Sequence, residues 1–159
     1  MFSLSLSKTL SVMYFPSGSD PFAVGEDLGV WAPADHQRII AKLTTGLGVL
    51  FYHTKAIHLE PLPETMLDDA KASLVPDLSL VDNESSETPI IIEVCKTAGL
   101  KGDLRKVIQL IDDGIYGIRE GFVYNYKTQQ WLRYRFGDGG LTTESSFSEI
   151  LNLDLNTFL

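Results

Sequence analysis

The stretch "TPIIIEVCKTAG" (Thr88–Gly99) decides how this chain is read. Three consecutive isoleucines leave no polar alternation, so Ile90–Ile92 fit a strand buried on both faces, in the interior of a sheet. The same strand then runs into Glu93, Cys95 and Lys96. An acid at the end of a buried strand is costly unless something there neutralises or uses it.

The preceding segment supplies a second acid. "VPDLSLVD" (Val75–Asp82) alternates, with Leu78 and Leu80 one way and Asp77, Ser79 and Val81 the other, as a strand with one buried face does. The polar run "NESSETP" (Asn83–Pro89) joins the two strands. If Asp82 lies opposite Ile90, Asp77 faces Cys95 and Ser79 faces Glu93. Asp77 and Glu93 are then diagonal neighbours on one face, about 7–8 Å apart at Cα. A slip of one residue would send them to opposite faces. Two converging carboxylates repel and stay ionised readily only around a cation. Magnesium suits such a pair, because it takes carboxylate oxygens, keeps several waters and bridges to phosphates. The plainer alternative is a turn aspartate after Pro76 and a glutamate that reaches solvent.

Working outward, "WAPADHQRIIAKLTTGLGVLFYH" (Trp31–His53) predicts a helix with Asp35 as its N-cap. Its apolar face is Ile39, Ile40, Leu43, Leu47, Leu50 and Phe51. Gly46 and Gly48 each cost about 1 kcal/mol in a helix interior, a cost accepted where another element packs closely. "AIHLEPL" (Ala56–Leu62) predicts a strand with Ile57 and Leu59 on one face. "GDLRKVIQLIDDG" (Gly102–Gly114) predicts a second helix, with Leu104, Val107, Ile108 and Ile111 inward, Asp103 near its start and Gly114 as its stop. On that wheel Lys106 points away from the apolar face. "GFVYNY" and "QWLRYRF" predict two more strands, and "SFSEILNLDLNTFL" a short final helix. Helix, three strands, helix and two strands make an α/β sandwich around a mixed sheet.

The chain has 159 residues, a formal charge of −8 and one cysteine. That length favours a single domain, 1–159, with 1–32 as a peripheral arm and 33–159 as the core. One cysteine makes no internal disulfide. No apolar run reaches the roughly 20 residues that span a bilayer, and no convincing cleavage site follows the start. A cytoplasmic location without membrane attachment is expected. The negative charge argues against bulk attraction to nucleic acid, so any such contact needs a local basic patch or bound cations.

Together "VPDLSLVD", "TPIIIEV", "GDLRKVIQLIDDGIYG" and "GFVYNYKTQQWLRYRF" resemble the bacterial family of proposed restriction endonucleases called domain of unknown function 820, in the PD-(D/E)XK nuclease-like superfamily. The resemblance covers about Asp35 to Phe158. It implies a restriction-endonuclease-like αβββαβ core with a central mixed sheet flanked by helices. It also implies a metal-dependent endonuclease hydrolysing DNA phosphodiesters, Asp77 and Glu93 as ligands of Mg2+ or Mn2+, and a homodimer. The family's acid-x-lysine pattern would place lysine at position 95, where this chain has Cys95. The basic partner is then Lys96, adjacent but on the wrong side of the alternation, or Lys106 on the following helix. The departure keeps open an alternative, a catalytically inactive nuclease fold serving in binding or self-assembly.

Other residues carry less. His36 and Gln37 open the first helix, where capping or surface roles are commoner. His53 and His58 form no spaced metal pair. Cys95 has no histidine partner in sequence, so a nucleophilic role is not expected. Tyr124, Tyr126, Trp131 and Tyr134 point to core or interface packing rather than base stacking.

Overall fold

The computed structural model describes residues 33–68 and 74–159; the arm expected over 1–32 lies outside the described residues. Residues 33–159 cluster as one compact unit. The first helix, α1, runs Ala34–Gly48 and continues as one π-helical turn, Val49–His53. There follow β1 (Glu60–Pro63), β2 (Leu78–Val81), β3 (Ile90–Cys95), α2 (Leu100–Asp112), β4 (Glu120–Asn125) and β5 (Gln130–Arg135). A small hairpin, β6 (Phe147–Ser148) and β7 (Leu153–Asp154), leads into a 3-10 turn over Leu155–Phe158. The tail thus carries the short final helix that was expected, as this 3-10 turn, with the small hairpin before it.

The five main strands form one sheet in sequence order, β1-β2-β3-β4-β5. All neighbours are antiparallel except β3 and β4, which are parallel and joined through α2. A parallel pair needs a crossover of this kind. The isoleucine strand is central, and every residue of β3 is buried. Its even residues, Ile90, Ile92 and Val94, pack toward Ile40, Leu43 and Leu47 of α1. Ile91 and Cys95 pack toward Val107 and Ile111 of α2. The expected α/β sandwich with a mixed sheet is therefore what forms.

Local details differ from the sequence expectations. The first strand starts later than Ala56, because pairing with β2 begins at Glu60 opposite Val81. Ile57 and Leu59 are still buried and His58 exposed. Pro61 and Pro63 sit on this edge strand, where their missing N–H groups cost least. Asp35 is not the cap of α1. That place falls to Pro33, and Asp35 lies in the first turn, paired with Arg38 at 2.8 Å. Gly46 answers to a close approach: a Cβ there would lie 2.2 Å from Cδ1 of Phe158. Tyr124, Trp131 and Tyr134 are buried in the core, so they offer no exposed aromatic face for a second copy.

Candidate metal and phosphodiester site

The two acids meet at the end of the sheet where β3 finishes. The register pairs Leu78 with Ile92, Ser79 with Ile91 and Leu80 with Ile90. Continued by one residue, it sets Asp77 directly opposite Glu93, not diagonal to it. The pairing expected from the sequence was two residues off. A shift of two preserves the face, so both acids still project to the same side. The bond from the Val94 N–H to Asp77 Oδ2, 2.7 Å, closes this end of the strand pair.

Three elements supply the remaining groups. From α2, Lys106 Nζ lies 2.8 Å from Glu93 Oε1 and donates to the Val75 carbonyl at 2.6 Å. The contact with Oε1 is a charge pairing off the hydrogen-bond direction, for that buried oxygen has no hydrogen-bond partner among the described residues. From the first turn of α1, His36 Nε2 lies 3.1 Å from Asp77 Oδ2. Beside it, Gln37 Nε2 donates to Glu64 Oε1 at 3.0 Å, and the Glu64 N–H donates to the Asp77 carbonyl at 3.1 Å. The start of α1 is thus fastened to the ends of β1 and β2.

Burial dominates the electrostatics. Glu93 is 3% exposed. Its carboxyl is pushed up to about 8, foremost by burial and further by Asp77 and Asp103, with Lys106 pulling the other way. Burial also raises Asp103, while Lys106 and His36 lower it. Asp77 raises His36 through their hydrogen bond, against the effect of burial. Burial, with the nearby acids adding to it, pushes the Cys95 thiol up to about 12. Burial of this kind disfavours the thiolate form.

Of the sequence candidates, Asp77, Glu93 and Lys106 come together. Lys96 does not join them: it is exposed in the turn after β3. The wheel had misplaced Lys106. The stripe of α2 that is fully buried is Val107, Leu110 and Ile111, with Leu104 and Ile108 only partly covered. The buried face is turned toward Asp103 and Lys106, and Lys106 stands one turn before Leu110 on its flank. His36, read as a capping or surface residue, instead bonds an acid of the pair. Only tertiary packing shows this, because 41 residues separate the two.

The donors fit a hard divalent ion. Asp77 and Glu93 offer carboxylate oxygens, and the Lys106 ammonium already stands 2.8 Å from Glu93 Oε1 as a cation for that oxygen. Among the described residues no group of three or more His, Cys, Asp or Glu is placed to hold a metal. A cavity of about 510 Å³ lies elsewhere, lined by Arg119, Glu120, Arg135, Phe136, Asp138 and Glu149, at the end where β4 begins. Its Arg135 is already paired with Asp138 and Glu149. Neither Asp77 nor Glu93 lines this cavity.

No helix among the described residues is long and apolar enough to cross a membrane. No family model matches the chain. No curated protein matches it either. Its structure is similar to that of a proposed nuclease of the DUF820 family from Anabaena variabilis ATCC 29413, with a TM-score of 0.59 and 11% identity over 80% of this chain and 81% of that one. A fainter likeness, TM-score 0.45 and 12% identity, covers 69% of this chain and 13% of the type IIG restriction endonuclease BpuSI. At 0.45 it is too weak to argue from. The first likeness, with the sheet order and flanking helices above, shows the fold: this chain has a restriction-endonuclease-like α/β fold, a mixed five-stranded sheet with flanking helices.

Proposed function

We propose that the chain is a divalent-metal-dependent endonuclease that hydrolyses DNA phosphodiester bonds. One observation carries this: Asp77 and Glu93 face each other across adjacent strands, with Lys106 2.8 Å from Glu93, at one end of a nuclease-like sheet. Asp77 and Glu93 would hold Mg2+ or Mn2+. When bound, the ion supplies an activated water and neutralises charge on the phosphate.

The chain's own groups do the rest. Lys106 brings a fixed positive charge to a site whose other nearby groups are mainly acids. It stabilises the extra negative charge that develops on a phosphodiester under attack. The Val94 N–H and His36 hold Asp77 in place, so no reorganisation is needed when substrate arrives. The N–H and imidazole donors are directed at Asp77 and not at substrate, which makes them supports.

The test is nicking of supercoiled plasmid with and without magnesium. Wild type nicks only with the metal, and Glu93→Ala and Lys106→Ala lose at least about a hundredfold in rate. Equal trace activity in wild type and Glu93→Ala would sink the enzymatic claim.

A second proposal is a nuclease fold that binds or assembles without cutting. Cys95, buried two residues after Glu93, and the formal charge of −8 favour it. It predicts partner binding that survives Asp77→Ala and no magnesium-dependent cleavage. A homodimer belongs to either proposal, and light scattering on the purified chain tests it.

A further inference from the structure

Asp77 is restrained through one of its two oxygens. Oδ2 accepts the Val94 N–H at 2.7 Å and faces His36 Nε2 at 3.1 Å. A carboxylate has no proton to give, so Nε2 carries the hydrogen and donates. The opposite tautomer would set a lone pair against the carboxylate. Nδ1 is buried and has no partner among the described residues, so nothing there rewards that change. Two donors occupy the two lone-pair directions of Oδ2. Oδ1 takes no hydrogen bond among the described residues.

We infer that His36 is a positioning residue that limits Asp77 to one oxygen toward a cation, and so selects a small octahedral ion over calcium. The inference rests on the cation site proposed above. Magnesium and manganese accept single carboxylate oxygens in a near-octahedral shell. Calcium takes six to eight oxygens and readily draws both from one carboxylate. With Oδ2 occupied, two-oxygen binding by Asp77 requires breaking the His36 or the Val94 bond. The Val94 donor is backbone in the central sheet and cannot withdraw. The His36 donor is held by α1, whose first turn is fastened through Gln37 to Glu64.

Calorimetric titration of the full chain with Mn2+ and with Ca2+ tests this without any measurement of cutting. The variants are His36→Leu, which removes the donor, His36→Gln, which keeps an N–H donor at similar reach, and Asp77→Ala. Wild type binds Mn2+ in preference to Ca2+. His36→Leu raises the Ca2+-to-Mn2+ affinity ratio about tenfold, the scale on which outer partners of metal ligands act. His36→Gln stays near wild type. An unchanged ratio in both His36 variants overturns the inference. So does Mn2+ binding that is absent in wild type or survives Asp77→Ala, since the cation site itself is then wrong. If the ratio shifts as stated but plasmid is never nicked, the proposed cutting fails while the role of His36 stands.

Discussion

Glu93 is the residue on which the site turns. Its folded carboxyl titrates near 8, against 4.5 for an ordinary glutamate. Between those values the folded chain holds a proton that the unfolded chain has released, so stability falls as pH rises. His36 and Asp103 are also raised and act with the same sign. The melting temperature of the cation-free protein should therefore decline from about pH 5 to pH 8, and Glu93→Gln should flatten that decline. An equally steep slope in Glu93→Gln, read by scanning fluorimetry, would acquit Glu93. Lys106 gives a second prediction at this scale. Lys106→Met leaves Glu93 and the Val75 carbonyl without their cation and costs about 1–3 kcal/mol. Chemical denaturation should show a larger loss at alkaline pH, where Glu93 is ionised, than at mildly acid pH, where it carries its own proton.

At the scale of elements, α2 must lie very close to the sheet for Lys106 to reach Glu93. Gly121 on β4 permits this approach: a Cβ there would lie 2.3 Å from Val107 Cγ1 and 2.9 Å from Ile111 Cδ1. Gly121→Ala should destabilise by about 1–3 kcal/mol through overpacking. Adding Val107→Ala should recover part of that loss, and a non-additive double-mutant cycle in urea is the check. The strand pair that carries the acids was legible in part. Which face Asp77 and Glu93 share followed from alternation. Their register did not, because the turn sets it. The Asp82 carboxylate takes the Glu84 N–H at 2.9 Å, and the Asp82 N–H bonds the Glu87 carbonyl. The connection closes earlier than the polar run suggested, so Leu80 and not Asp82 meets Ile90.

For the whole molecule, a formal charge of −8 and the pairing of buried Glu93 with partly exposed Asp77 both favour bound cations. Any ion that binds the folded chain alone stabilises it by mass action. Magnesium at about a hundred times its dissociation constant should add about 2.7 kcal/mol of stability. A thermal shift measures this, and Asp77→Ala should abolish it. A shift that persists in Asp77→Ala would place the ion elsewhere on the acidic surface. Contact with DNA should likewise depend on the divalent ion, since net charge opposes a phosphate backbone.

The sequence by itself determined the central strand, the two flanking helices, the mixed sheet and the shared face of Asp77 and Glu93. Those follow from period and burial, which are local properties of the chain. Tertiary structure alone decided that Lys106 and not Lys96 joins Glu93, that Asp77 stands directly across from it, and that His36 braces Asp77. Each depends on how one element is rotated or placed against another. That rotation is set by packing on both sides of the sheet, around Val107 and Gly121 on one face and Leu43 and Leu47 on the other. A helical wheel drawn from one segment contains no such information.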